Sequence, residues 1–253
     1  MTDEVKSETV ILCEGYHDRA FWSGWLRLLG CQSEADLRAG SGPILDPWGE
    51  RVEKGIFAFR SRSGKFIRLV PTGGNSPQFR IARALLRKRA DRLLNRLVIN
   101  RDVDVAAPVS PEGPTISDVL AALTPEPAST HLDGDELVFD DTGTRVSFVK
   151  WFAGDVSSPG LPEQQCLERL VCAALSAAHP ERGACVQAWL DSRNSPPLES
   201  VKAYSWSHMA GWYPDHGCEA FYSQLWSEPD IAAELRQRLE SSGAWRIADN
   251  VAE

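Results

Sequence analysis

Four apolar residues, Val10-Ile11-Leu12-Cys13, run directly into a carboxylate and a glycine, Glu14-Gly15. A run this short and continuously apolar reads as a strand buried on both faces, as parallel strands are. Gly15 permits a tight turn at the strand's carboxyl end, and beyond it the apolar spacing turns helical at Ala20, Phe21, Trp25, Leu28 and Leu29. The pattern predicts a strand over 8–13 and a helix over about 17–30, with Gly30 as its C-cap signal. Glu14 then stands at the mouth of a sheet and Asp18 in the first turn of the next helix, at the edge where open α/β sheets bind ligands. Trp22 and Trp25 fall near that helix's apolar face and read as core. His17 reads as a solvated histidine, with a phosphate contact as the alternative.

A second strand of the same kind, Leu97-Val98-Ile99-Asn100, leads into Arg101-Asp102-Val103-Asp104. Side chains alternate along an extended segment, so Asp102 and Asp104 point the same way. If the two strands are neighbours in one parallel sheet, Glu14, Asp18, Asp102 and Asp104 converge. Like charges a few ångströms apart force protonation or demand a cation, and hard oxygen ligands suit Mg²⁺ or Mn²⁺.

This pair of motifs resembles the TOPRIM (topoisomerase–primase) domain, whose signature is a strand ending in Glu-Gly and a later strand ending in Asp-x-Asp. Glu14-Gly15-Tyr16-His17-Asp18 is similar to the Glu-Gly-x-x-Asp form of bacterial primases and OLD-family nucleases, and Asp102-Val103-Asp104 matches the second motif. Between them, Leu69-Val70-Pro71-Thr72-Gly73-Gly74 resembles the strand-plus-glycine segment ahead of the middle helix in OLD-like members. The resemblance covers roughly residues 8 to 155. It implies a TOPRIM-like parallel sheet flanked by helices, with Glu14, Asp102 and Asp104 as catalytic and metal-holding residues and Asp18 completing a second metal site. OLD-like nucleases place a further acidic residue and a catalytic lysine after the Asp-x-Asp strand, roles for which Glu168 and Lys202 are the candidates, a surface Glu and Lys being the alternative. Segments around 160–168 and 201–204 also resemble those following the core in standalone TOPRIM proteins of unassigned function.

The chain has 253 residues, 43% of them hydrophobic, with nine tryptophans, enough for a substantial core. No run approaches the roughly 20 apolar residues of a membrane helix, and Met1-Thr2-Asp3-Glu4 lacks the layout of a secretion signal. The six cysteines show no Cys-x-x-Cys pair and read as reduced core thiols of a cytoplasmic protein, with a zinc site as the alternative. A net charge of −8 argues against a protein that coats nucleic acid non-specifically. Yet Arg80, Arg83, Arg87, Lys88, Arg89, Arg92, Arg96 and Arg101 crowd one segment. That run is either a solvated helix face or, leading as it does to the acidic motif, a phosphate-binding surface.

Glycines and prolines over 40–53 read as a loop or insertion. Alternating residues over 55–60 and 65–70 around a glycine-containing connection predict a hairpin whose second arm continues as a core strand. After Gly73-Gly74, Asn75 caps and Pro77 opens a helix reaching to about Leu94, whose free N–H groups can hold a phosphate. Residues 105–130 are rich in proline and alanine, with one short helix over about 115–123. A second hairpin joins 136–139 to 145–152, its long arm expected to close the sheet, and Asp133, Asp135, Asp140 and Asp141 read as turn residues. Beyond Gly160 the pattern is helical over 161–178, 182–190, 201–209, 218–226 and 230–241. The expected organisation is an α/β core over 1–157 with hairpin insertions, and a mainly helical C-terminal lobe over 158–253 packed on it.

Two functional readings follow. One is a Mg²⁺- or Mn²⁺-dependent nuclease acting on DNA or RNA, with a defence or repair system as its setting. No Gly-x-x-x-x-Gly-Lys-Ser/Thr loop is present, so an ATPase of the OLD kind is expected on a separate partner. The other is a non-catalytic TOPRIM-like module that binds nucleic acid or a protein partner.

Overall fold

The computed structural model describes residues 7–38, 42–103, 129–154, 156–192, 201–212 and 217–253. In chain order they form β1 (Glu8–Cys13), α1 (Tyr16–Leu28), β2 (Gln32–Ser33), α2 (Glu34–Leu37), β3 (Phe57–Arg60), β4 (Phe66–Pro71), α3 (Asn75–Arg87) and β5 (Leu94–Asp102). There follow β6 (Thr130–Asp133), β7 (Glu136–Phe139), β8 (Arg145–Trp151), α4 (Leu167–Ala178), α5 (Pro180–Asp191), α6 (Val201–Trp212), α7 (Cys218–Leu225), α8 (Pro229–Ser241) and α9 (Ala244–Ala252).

One sheet of eight strands runs in the order β2-β3-β4-β1-β5-β8-β7-β6. Val10, Ile11, Leu12 and Cys13 of β1 are all 0% exposed, which a strand achieves only with neighbours on both edges and cover on both faces. β4 and β5 supply the edges, both parallel to β1, with Leu12 opposite Val70 and Ile99. Contacts climb in step from β5 along the next strand (Leu94 to Thr144, Arg96 to Ser147, Asn100 to Val149), so β8 runs the same way. The pairs β2–β3, β3–β4, β6–β7 and β7–β8 are antiparallel. The fold is thus mixed α/β, with a parallel centre and antiparallel flanks.

The crossover β4–α3–β5 carries α3 past β1, and Ala82 and Leu86 bury against Val10, Leu12, Leu97 and Ile99. α1 supplies Trp22, whose Nε1 donates to the fully buried Asn100 Oδ1 at 3.2 Å and whose ring stacks on Trp25 at 4.7 Å. Both tryptophans are core, as their spacing predicts.

Several boundaries differ from expectation. α3 ends at Arg87 rather than near 94, because Leu93 takes a positive φ of 42° and Leu94 opens β5 in the buried core. The N-cap is Gly74 rather than Asn75. β8 lies inside the sheet and does not close it: β6, largely exposed and polar but for Leu132, forms the edge beyond β7. α4 begins at Leu167, since Gln165 ties the preceding segment down by hydrogen bonds to Ala153 N and Gly154 O. α9 follows the last expected helix. The helix expected near 115–123 lies outside the described residues.

The chain divides into two compact units, 1–101 with 114–149 and 246–253, and 102–113 with 150–245. In the first, the end of the chain returns to the sheet unit through ion pairs Arg246–Asp135 and Arg62–Asp249. The second is helical: α4, apolar and buried from Leu170 to Leu175, packs against α5, α6 and α8. No described helix is long and apolar enough to cross a membrane.

A buried ion cluster ties β5, β7 and β8 together. Glu136 pairs with Arg96, accepts from Ser147 Oγ at 2.6 Å and meets Arg145 Nη1 at 2.9 Å. Burial alone would raise the Glu136 pKa, but the Ser147 hydrogen bond and the two arginines outweigh it and hold the carboxyl below its usual range. Its stabilisation is therefore present above the unfolded carboxylate pKa of about 4.3 and is lost as pH falls through the lower folded value. Arg96→Met leaves the buried carboxylate with Arg145 and Ser147 alone and should cost up to about 3–5 kcal/mol in urea unfolding at pH 7. Adding Glu136→Gln should recover part of that loss and flatten the acid limb of the stability profile.

Candidate functional site

From β1 the chain leaves through α1 toward the β4 side of the sheet, and from β5 it leaves toward β8. Adjacent parallel strands whose connections depart in opposite directions form a topological switch point, where open α/β sheets take ligands outside the strands' carboxyl ends. β1 runs there into Glu14, which is 9% exposed.

The backbone around Glu14 is held from both sides. Carbonyls of three successive residues are taken by the β4–α3 connection and the start of α3. Leu12 O accepts from Gln78 Nε2 at 3.0 Å, Cys13 O from Thr72 N at 2.9 Å and Thr72 Oγ1 at 3.0 Å, and Glu14 O from Gly74 N at 3.0 Å. On the helix side, Asp18 Oδ2 accepts from Gly15 N at 2.8 Å. This satisfies one of the N–H groups that a helix start leaves open and places a negative charge at its positive end. One carboxylate oxygen of Asp18 is thereby committed to the fold. The Arg19 guanidinium lies over Tyr16 and Phe57, 4.9 and 3.8 Å from the ring centres.

In the second unit, Asp102 has a comparable double position. It is the last residue of β5, and its Oδ1 accepts from Leu167 N, at the start of α4, at 2.9 Å. Glu168 is buried in the first turn of the same helix, so Asp102 and Glu168 are brought to one helix N-terminus. Val103 N donates to Gln165 O at 3.1 Å beside them.

The other expected site residues are placed as follows. Asp104 lies outside the described residues. Lys202 is the second residue of α6, and its side chain lies outside what is described. Arg80, Arg83 and Arg87 are exposed on α3, at a spacing that shares one side. Arg101 is half-buried with its guanidinium 5.4 Å from the Phe79 ring centre. The rest of the basic run is divided: Arg89 pairs with Asp141, Arg92 with Asp46 and Glu50, and Arg96 with Glu136. Gly73 and Gly74 have φ of +73° and +119°, the region that favours glycine. The Gly74 N–H is engaged by Glu14 O, so it is not open to a phosphate. Among the described residues no three His, Cys, Asp or Glu side chains gather in a group fit to hold a metal ion. Cys13, Cys31, Cys166 and Cys172 are buried free thiols and Cys185 is an exposed one. Burial pushes the Cys31 thiol up to about 11.

Four residues that the sequence pattern did not single out organise these strand ends: Thr72, Gln78, Asn100 and Gln165. The available signal was polarity within an apolar frame, as Asn100 closing Leu97-Val98-Ile99 shows.

No family model matches the chain, and no curated protein matches it. The crystal structure of a hypothetical protein from Pyrococcus horikoshii OT3 is similar in fold, with a TM-score of 0.69 over 98% of this chain and 100% of that one, at 15% identity. At that identity the likeness shows the fold alone. A protein with unknown function from Thermoplasma acidophilum matches with a TM-score of 0.30 at 10% identity over 84% and 88% of the two chains, too weak to carry an argument.

The Asp18 cap is separable from its charge. Asp18→Ala should cost about 1 kcal/mol in urea unfolding, a usual loss for a capping side chain, whereas Asp18→Asn keeps an acceptor for Gly15 N and should lose less than half of that.

Proposed function

We propose that the chain is a Mg²⁺- or Mn²⁺-dependent nuclease of TOPRIM type that cleaves phosphodiester bonds in DNA or RNA. The observation that carries this reading is the parallel pairing of β1 and β5 at the switch point, β1 running into Glu14 and β5 ending at Asp102. Glu14, Asp102 and Asp104 would hold the ion, with Asp18 and Glu168 in the same site or an adjacent one. The donor set fits: these are carboxylates, whose hard oxygens suit Mg²⁺ or Mn²⁺. The bound ion would supply charge neutralisation at the phosphate and a more acidic water. Glu14, its backbone clasped on both sides, would either bind the ion or, as the alternative, take a proton from an attacking water. Lys202 would steady the charge of the transition state. Arg80, Arg83, Arg87 and Arg101 would hold the nucleic-acid backbone. In this reading the protein works in the cytoplasm within a defence or repair system, with any ATPase on a separate partner.

The second reading, a non-catalytic TOPRIM-like module for nucleic acid or a protein partner, is favoured by one observation. Asp18 and Asp102 already have work in the fold as acceptors for backbone N–H groups, which gives both acids a reason to exist without a metal.

Asp104→Asn separates the two. Equal or higher melting temperature in the metal-free protein, no further gain with Mn²⁺ and loss of cleavage of single-stranded and duplex DNA and RNA are expected. A variant that keeps its Mn²⁺-induced stabilisation and its cleavage sinks the nuclease reading.

Replacing Arg80, Arg83 and Arg87 together by Glu should weaken nucleic-acid binding and flatten its dependence on salt. Unchanged binding at low salt would return this helix to a merely solvated face.

A further inference from the structure

β1 stays in register with β4 as far as Cys13 opposite Pro71, but its pairing with β5 stops at Leu12 opposite Ile99. Beyond that point a side chain joins the two strands. Gln78, fully buried on the second turn of α3, donates from Nε2 to Leu12 O at 3.0 Å and to Asn100 O at 2.8 Å. Leu12 and Asn100 each lie two residues ahead of a carboxylate, Glu14 and Asp102.

The chemistry of this bridge is narrow. Two carbonyl acceptors need two donors on one small neutral group, which a primary amide nitrogen provides. A carboxylate has none, and an ammonium would bring a charge into a buried position. The amide also has only one workable orientation, since a flip would set its oxygen against both carbonyls. Oε1 meets no donor among the described residues. A buried acceptor without a partner is costly, by about 1–3 kcal/mol, and departures of this kind concentrate at functional sites. The two carbonyls, not the needs of its own oxygen, orient the side chain.

We propose that Gln78 is a positioning residue that sets the spacing of the β1 and β5 ends at the switch point, and through them the carboxylates that follow. Its consequence for metal binding rests on the nuclease reading above. Thr72 and Gly74 fix the next two carbonyls, those of Cys13 and Glu14, so a change at Gln78 shifts the β1–β5 relation while leaving the β1–β4 relation in place.

The test compares Gln78→Met, of similar length without donors, and Gln78→Asn, which keeps the amide but is one methylene shorter, with Leu86→Ala as a control. Leu86 lies in the core on the same helix, and its truncation lowers stability without touching the bridge. Mn²⁺ affinity by calorimetry should fall about 10–100-fold in Gln78→Met, the usual loss for an outer-shell partner, and stay unchanged in Leu86→Ala even where the melting temperature falls as far. The value of kcat should drop with KM for the nucleic acid unchanged. Amide hydrogen exchange should accelerate at residues 13–15 and 99–101 and not at Val10 or Val98. Gln78→Asn should show the same pattern more weakly and serves alone if Gln78→Met does not fold. Wild-type Mn²⁺ affinity in both Gln78 variants, or exchange that rises evenly along β1 and β5, overturns the proposal. If the wild type itself binds no Mn²⁺, the metal reading fails and exchange alone decides: acceleration confined to the two strand ends sustains the positioning role, and any other pattern ends it.

Discussion

A strand with no access to water must have its backbone polar groups paired within the protein. β1 is such a strand, and much of the architecture answers that demand. Parallel ladders to β4 and β5 satisfy it along the strand's length. At the carboxyl end, where the β5 ladder stops, the carbonyls of Leu12, Cys13 and Glu14 still need donors. Gln78 Nε2, Thr72 and Gly74 N supply them. The constraint that builds the sheet therefore also builds a rigid frame around Glu14, and the φ of +119° at Gly74 is part of that frame. α1 completes it from the other side, since its first turn turns an acidic side chain back onto Gly15 N.

The elements legible in the sequence were those whose burial pattern is decided locally. Val10 to Cys13 read as a doubly covered strand, and its pairing with the strand that ends at Asp102 was an expectation that the register of β1 against β5 bears out. Both hairpins were visible through their glycine turns. What stayed hidden depended on partners distant in the chain. Leu93 and Leu94 continue the helical spacing of Leu85 and Leu86, yet one sits exposed in a left-handed turn and the other begins a core strand. β6 shows no apolar alternation because it is an edge strand, and its identity comes from β7 beside it. Gln78 and Thr72 look like surface polar residues in the sequence, and only the crossover over β1 brings them to its orphaned carbonyls.

The basic segment shows the same division. As a string it is a block of positive charge, but the fold separates it by position. Arg96, on a central strand, enters a buried cluster with Glu136, where its value is set by the carboxylate it neutralises. Arg89 and Arg92, in the turn after α3, reach to Asp141 and to Asp46 and Glu50. Asp141 and Glu50 are exposed, and pairs with such residues add little stability, whereas Asp46 is buried; all three pairings occupy the two arginines within the fold. Arg80, Arg83 and Arg87 lie exposed on α3, so the exposed part of this basic segment is narrower than its arginine count suggests.

The acidic residues carry a parallel division of labour, with a consequence for which ion they suit. Asp18 and Asp102 each give one oxygen to a backbone N–H at a helix start, Gly15 and Leu167 respectively. A carboxylate held this way cannot embrace a cation with both oxygens without giving up that hydrogen bond. Ca²⁺ favours six to eight oxygens and readily takes bidentate carboxylates, whereas Mg²⁺ accepts one oxygen from each of a few carboxylates and fills its octahedron with water. Under the nuclease reading, the same hydrogen bonds that anchor α1 and α4 therefore bias the site toward the smaller ion. An ion held by these residues would supply charge neutralisation at a phosphate and a more acidic water.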